Sequence, residues 1–312
     1  MNVQTLQGPY RKPNTHLRIQ SILYLNDQVD VERSIQNIHR ACELAISDGC
    51  CGRITLAYGD CSPSPVLDDK FLKEWGEKFA LPLNLDYHHF GENLGSAAGH
   101  NRLAGLSQDG DFLLIENPDV VPSPRLFEAL LEPFRLPNVG MVEAKQLPIE
   151  HPKDYNKATG ETDWATTACA MIPRAVFDEL GGFDSRSFFL YCDDVDFSWL
   201  VREAGLKVIF QPSATVFHDK RLSSQNAGWQ PTNAERYYSA EASMIMAHKW
   251  SRADLVQKYL KMYQAHGDDF QRKAAEAFVK RMDENNLPEP RDPKHRIGTF
   301  TGDLYTQHRY KL

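Results

Sequence analysis

The chain has 312 residues, enough for one large domain with an appendage or for two modest ones. Apolar residues make up 42% and charged residues 25%, an ordinary balance for a protein with a sizeable core, which excludes global disorder. The formal net charge of -7 lacks the basic footprint of a general nucleic-acid binder, so no nucleic-acid partner is expected; it still permits an anionic ligand held by backbone amides.

No window approaches the roughly 18 uninterrupted apolar residues of a membrane span. The start, residues 1–8, lacks the apolar region of a signal peptide. The six cysteines, at 42, 50, 51, 61, 169 and 192, form no CxxC pair. A reduced, cytoplasmic chain with mostly buried thiols is expected. Short amphipathic segments would still allow peripheral attachment at the inner face of a membrane.

In chain order, residues 18–25 read as a strand. Asp30 then caps a helix with apolar Val31, Ile35, Ile38, Ala41 and Ala45. Residues 54–58 form a second strand ending in the turn Gly59-Asp60-Cys61-Ser62-Pro63. Leu67, Phe71, Leu72, Trp75 and Phe79 predict a second helix, and residues 83–90 a third strand. Asn93-Leu94-Gly95 with Gly99-His100-Asn101 opens a small-residue helix, and residues 111–116 form a fourth strand. This alternation predicts an α/β fold with a Rossmann-like, largely parallel sheet flanked by helices. Ligands bind such sheets beyond the carboxyl ends of the strands, where Asn26-Asp27, Gly59-Asp60, Gly91-Glu92-Asn93 and Asn117-Pro118-Asp119 would gather.

Residues 122–134 read as a helix, 139–144 as a strand, 147–163 as an irregular loop over the rim, and 167–172 as a strand. Pro173 starts a helix that ends at Gly181-Gly182. Residues 188–191 lead into the acidic cluster Asp193-Asp194-Val195-Asp196 and a helix over 195–204, followed by two short strands at 208–210 and 214–217. From Asn233 the pattern is helical. We therefore expect a first domain over 1–232, with its nucleotide half at 18–120 and its acceptor half at 121–232, and a helical appendage over 233–312. Those helices offer a surface for a homo-oligomer, and the tail, with Phe300, Tyr305 and Tyr310, reads as a docking arm.

Two clusters carry chemistry. Hard cations take oxygen ligands, often one or two carboxylates plus substrate phosphates, and Asp119 at the end of a buried strand suits that role. The same tripeptide also reads as a plain strand-ending turn. Three carboxylates within residues 193–196 repel one another, so a cation, solvent or a raised pKa must compensate. Asp194 at a helix start could serve as a general base, or the cluster could be an exposed cap. His218 closes an apolar strand and reads as a rim residue, or as a metal ligand beside the acidic clusters.

Taken in order, Glu92-Asn93-Leu94-Gly95, Leu114-Ile115-Glu116-Asn117-Pro118-Asp119, Gly181-Gly182-Phe183-Asp184 and Phe188-Phe189-Leu190-Tyr191-Cys192-Asp193-Asp194-Val195-Asp196 resemble glycosyltransferase family 2. These are the inverting GT-A enzymes, and the resemblance, over about residues 18–250, is to the bacterial rhamnosyltransferase and galactofuranosyltransferase-like branch. It implies a GT-A fold, a UDP- or dTDP-sugar donor, a glycan or lipid-linked glycan acceptor, a role in polysaccharide biosynthesis, and Mg²⁺ or Mn²⁺. Asp119 and His218 would hold the metal, and Asp194 would be the catalytic base. Tyr24, Asn26, Asp60, Asn93, Gly95, Asn101, Asn117 and Asp119 would bind the nucleotide sugar. Asp193, Asp196, Trp164 and Arg202 would support the acceptor side, and Lys249-Trp250 matches a pair near the end of the family's catalytic region. The chain departs from the pattern at Gly59, where an aspartate is usual, at Asp60, where an asparagine is common, at Asp193, which replaces a glutamate, and at Ala168, near a frequent glycine. Two other readings are a non-catalytic module that binds nucleotide sugar or glycan, and a sugar-nucleotide nucleotidyltransferase. The latter would need a glycine-rich basic loop that Leu23-Tyr24-Leu25-Asn26-Asp27 does not supply.

Overall fold

A computed structural model of the chain describes residues 14–79, 82–218 and 231–306. Tyr310 and residues 1–8 lie outside them. The first half alternates as its periodicity requires: β1 (His16–Leu23), α1 (Gln28–Ser47), β2 (Arg53–Asp60), α2 (Asp69–Phe79), β3 (Leu83–His89), α3 (Gly95–Gly105) and β4 (Phe112–Glu116). Asp27, not Asp30, caps α1 by accepting from the Val29 N–H. β1 pairs in parallel with both β2 and β4, and β2 with β3. The carboxyl ends of all four strands therefore share one rim.

The second half is mixed. Its elements are β5 (Val120–Pro122), α4 (Leu126–Leu131), β6 (Val139–Leu147), β7 (Glu161–Thr162), β8 (Cys169–Pro173), α5 (Arg174–Glu179), α6 (Asp193–Glu203) and β9 (Lys207–His218). The sheet order is β3-β2-β1-β4-β8-β6-β9-β5, with β7 on β9. β8 runs antiparallel to β4 and β6, whereas β6 and β9 are parallel. The helix expected over 122–134 is shorter: Val120–Pro122 pairs with β9, and Pro133 tightens the chain into a 3₁₀ turn over Glu132–Arg135. The two strands expected at 208–210 and 214–217 are one strand, β9, with a register shift opposite Ala144 and Lys145 that absorbs Pro212.

Helices α1, α2 and α4 cover one face through Val31, Ile35, Ile38, Trp75, Leu126 and Leu130. Helices α3, α5 and α6 cover the other through Ala97, Val176, Phe197 and Val201. α7 (Asn233–Lys249), α8 (Ala253–His266) and α9 (Asp269–Asp283) form an outer layer. They share a cluster with α6 in which the Trp199 and Trp250 rings meet edge to face at 5.1 Å. Capping boxes at Thr232/Glu235 and Asp268/Gln271 start α7 and α9. The Phe300 ring packs 5.2 Å from Trp199, so the described part of the tail docks on its own chain. No helix among the described residues is long and apolar enough to cross a membrane. All six cysteines are buried and outside any disulfide.

Candidate active site

Asn117 and Asp194 come together through one short segment, residues 165–168. The Asn117 N–H donates to the Ala168 carbonyl at 3.0 Å as β4 ends beside β8. One residue earlier, the Thr167 backbone amide favours the ionised form of the Asp194 carboxyl. Two residues before that, the Ala165 N–H donates to Ser198 Oγ at 3.0 Å, and Ser198 Oγ donates to the Asp194 carbonyl at 2.8 Å. The segment thus ties the start of α6 to the end of β4, and two motifs 77 positions apart in sequence (194 − 117) share one edge of the rim.

The start of α6 is conformationally strained. Tyr191 and Cys192 both adopt left-handed backbone angles, φ 67° and 62°. This reverses the chain so that Asp193 and Asp194 enter the helix's first turn. Burial pushes Asp194 up to about 7, and the neighbouring Asp193 carboxylate adds to the shift. Burial likewise lifts Asp193 to about 6, against the Ser96 hydroxyl that helps hold it. A carboxylate poised near neutrality at a rim is what proton abstraction requires.

Asp119 sits on the rim with its side chain 47% exposed, and its Oδ1 lies 3.3 Å from Nε2 of the buried His218. His218 Nδ1 lies 2.8 Å from Gln146 Oε1, which can only accept. Nδ1 therefore carries a proton, and Nε2 faces the Asp119 carboxylate. A carboxylate oxygen and an imidazole nitrogen facing each other at this distance could share a cation. Among the described residues no group of three or more His, Cys, Asp or Glu is arranged to hold a metal alone. Asp119 and His218 would be two of its ligands, and ligand oxygens would complete the set.

Gly95 serves by having no side chain. At φ 70°, a Cβ there would stand 2.3 Å from the Phe189 carbonyl oxygen, which accepts from the Ser96 N–H at 3.0 Å. α3 thereby seats against the loop before α6. Asn93 is exposed and its Oδ1 accepts from the Gly95 N–H, starting that helix. Phe189 stacks on Tyr238 of α7 at 4.6 Å. Tyr24, 45% exposed, stands at the end of β1, where its N–H donates to Asn26 Oδ1.

Four expected site residues do other work. Asp60 is fully buried; it accepts from the Ser62 and Val66 N–H groups and from the Tyr87 hydroxyl, so its oxygens hold the loop after β2. Asn101 clamps Phe183 through both its N–H and its carbonyl. Asp196 is fully buried and accepts from Lys249 Nζ at 2.8 Å and Trp250 Nε1 at 2.9 Å; Lys249 also donates to Asp184 at 2.7 Å. That knot joins three of the motifs, Gly181-Gly182-Phe183-Asp184, the acidic cluster and Lys249-Trp250, and it seats α6. Arg202 pairs with Asp163 and donates to the Ile297 carbonyl, pinning the tail. Trp164 is buried below the site, under the Lys153 ammonium at 4.0 Å. Gly59, where the resemblance leads one to expect aspartate, has no room for a side chain: a Cβ would stand 2.7 Å from the Phe90 ring and 3.0 Å from Ile22.

Sequence reasoning missed Lys153, Glu143, Thr166 and Gln146. All four side chains are buried beneath the rim, and nothing local in the sequence marks them.

No family profile matches the chain. An N-acetylglucosaminyl-diphospho-decaprenol L-rhamnosyltransferase of Mycobacterium tuberculosis is 26% identical, over 52% of this chain and 63% of that protein. A pre-mycofactocin glycosyltransferase of Mycobacterium tuberculosis is 25% identical, over 66% of this chain and 45% of that protein. The O-antigen biosynthesis protein RfbC of Myxococcus xanthus is 28% identical, over 39% of this chain and 12% of that protein. The chain thus spans less than two thirds of each of these relatives. Among solved structures, GalNAc-T7 with UDP, GalNAc and Mn²⁺ superposes with a TM-score of 0.59 at 13% identity, covering 88% of this chain and 56% of that one. The mannosyltransferase PcManGT of Pyrobaculum calidifontis, in complex with GDP-Man and Mn²⁺, superposes with a TM-score of 0.50 at 15% identity, covering 90% and 80%. The chain accordingly has the GT-A fold and is similar in sequence to bacterial glycosyltransferases, as the family 2 resemblance of its motifs implies.

Proposed function

We propose that this chain is an inverting glycosyltransferase that moves a sugar from a nucleoside-diphosphate donor to a hydroxyl of a glycan or lipid-linked glycan. The supporting observation is that residues 165–168 hold Asp194 and Asn117-Pro118-Asp119 on one rim. Asp194 removes the proton from the acceptor hydroxyl. That oxygen attacks the anomeric carbon, the bond from this carbon to the diphosphate oxygen breaks on the opposite face, and the nucleoside diphosphate departs. Asp119 and His218 would hold Mg²⁺ or Mn²⁺, which when bound offsets charge on the leaving diphosphate. Asn117, through its backbone tie to Ala168, keeps Asp119 in register with the base. Tyr24 and Asn26, at the carboxyl end of β1, border the nucleotide side. Asp193 and Trp164 shape the acceptor side. Similarity to an O-antigen protein and to a rhamnosyltransferase of a diphospho-decaprenol substrate supports a surface-polysaccharide role.

Asp194→Asn keeps the shape and removes the base. Transfer should fall about 10²–10⁴-fold while donor binding, read by thermal shift with UDP or dTDP and Mn²⁺, persists. In the parent protein, burial lifts Asp194 to about 7, so transfer should rise with pH through about 7 as the base ionises. Near-normal transfer by the variant would remove Asp194 from this role. The absence of a thermal shift with every nucleoside diphosphate tried would count against the donor.

A further inference from the structure

A buried file of polar side chains runs beneath the rim from the loop after β6 to the proposed metal site. Lys153, on that loop, turns inward, and its ammonium pairs with Glu143 of β6; the two side chains are 2% and 0% exposed. Trp164 and Phe210 flank the ammonium, with ring centroids at 4.0 and 5.4 Å. The other Glu143 oxygen, Oε1, lies 3.0 Å from Thr166 Oγ1. Thr166 Oγ1 lies 2.8 Å from Gln146 Nε2, and Gln146 Oε1 lies 2.8 Å from His218 Nδ1. Thr166, Gln146 and His218 are all buried.

The direction of each hydrogen bond follows from the one before it. Burial pushes Glu143 up to about 7 and the Lys153 ammonium opposes that shift, so near pH 8 Glu143 is a carboxylate and can only accept. Thr166 must therefore spend its single hydroxyl proton on Glu143. Its oxygen is left to accept, so Gln146 presents its N–H₂ to Thr166. The amide carbonyl then faces His218, and Nδ1 must be the ring nitrogen that carries the proton. Partners of this kind set the tautomer of a metal-binding histidine.

We propose that the Lys153–Glu143 pair fixes the His218 tautomer through Thr166 and Gln146, leaving the Nε2 lone pair facing Asp119 and free for a divalent cation. The proposal rests on the metal role given above to Asp119 and His218. It makes Lys153, Glu143, Thr166 and Gln146 positioning residues. It also links the docking of the loop after β6 to the order of the metal site, since that loop delivers Lys153.

The test is ¹⁵N NMR of histidine-labelled full-length protein near pH 8, without metal or donor, with His218 assigned by His218→Gln. The expected spectrum shows His218 protonated at Nδ1. Thr166→Val removes the hydroxyl at nearly constant volume. It should mix the tautomers and weaken Mn²⁺ binding, measured by electron paramagnetic resonance, by about 10–100-fold. Thr166→Ser should keep both properties, and Lys153→Met should shift both in the direction of Thr166→Val. Protonation of His218 at Nε2, or at both nitrogens, in the parent protein would overturn the proposal. So would a folded Thr166→Val with unchanged tautomer and unchanged Mn²⁺ affinity. Should Thr166→Val fail to fold, the parent tautomer and Lys153→Met decide. No sugar transfer enters these readouts. An Nδ1-protonated His218 in a protein without transferase activity would refute the proposed function alone, and the reverse pattern would refute this proposal alone.

Discussion

Lys249→Met tests what holds α6, and with it the base, in place. Lys249 is 4% exposed and donates to Asp184 at 2.7 Å and to Asp196 at 2.8 Å. Burial pushes the Asp184 carboxyl up, but the Lys249 ammonium outweighs it and holds the group below the usual carboxylate range. For Asp196 burial wins, partly offset by Lys249 and the Trp250 N–H. Methionine matches the stem of lysine but leaves two carboxylates without their cation, one of them fully buried. Removing one partner of such a buried pair costs about 3–5 kcal/mol. At about 2–4 °C per kcal/mol, the melting temperature should drop by roughly 6–20 °C. Urea unfolding at pH 7.5 gives the free-energy change directly. Repeating it near pH 5 should show a smaller loss, because protonating Asp196 relieves the stranded charge. A loss under about 1 kcal/mol, or one independent of pH, would refute the reasoning.

Glu116 is buried, neither carboxyl oxygen has a hydrogen-bond partner among the described residues, and burial pushes it up to about 8 from an ordinary 4.5. A raised folded-state pKa means that stability is full below pH 4.5 and is lost as pH rises toward 8. Glu116→Gln abolishes that dependence, so its stability relative to the parent should grow between pH 5 and 8 by up to about 1.4 kcal/mol per pH unit; parallel stability–pH curves would contradict this. Gly95→Ala forces a Cβ against the Phe189 carbonyl at a left-handed residue, so it should lose about 1–3 kcal/mol of stability and reduce transfer. Unchanged unfolding and activity would show that α3 does not seat the loop before α6.

Much of the fold was legible because its signals are local. Alternating strands and helices over residues 16–116 gave the parallel half, and Pro173 with Gly181-Gly182 bounded α5. The motifs led to Asp119 and Asp194, because acidic residues at strand and helix ends mark themselves. Helix geometry also separates Asp194 from Asp196: two positions at about 100° each put the side chains on nearly opposite faces. One faces the rim and the other the Lys249–Trp250 knot. What was not legible was partners. The polar atoms of Asp60 and Asn101, expected at the nucleotide sugar, and of Arg202, expected to support the acceptor side, are engaged by the chain itself.

By itself, then, the sequence determined the strand-helix alternation, the parallel half of the sheet and the acidic residues at its rim, because periodicity and turn chemistry act over a few residues. Only the tertiary structure decided which polar groups are free and which are spent. It also decided that β8 runs antiparallel into the sheet, that Lys153 reaches Glu143, and that residues 165–168 join the two acidic clusters. Those outcomes depend on contacts between segments far apart in the chain, made once the chain has packed, and burial then sets the protonation of the groups so enclosed.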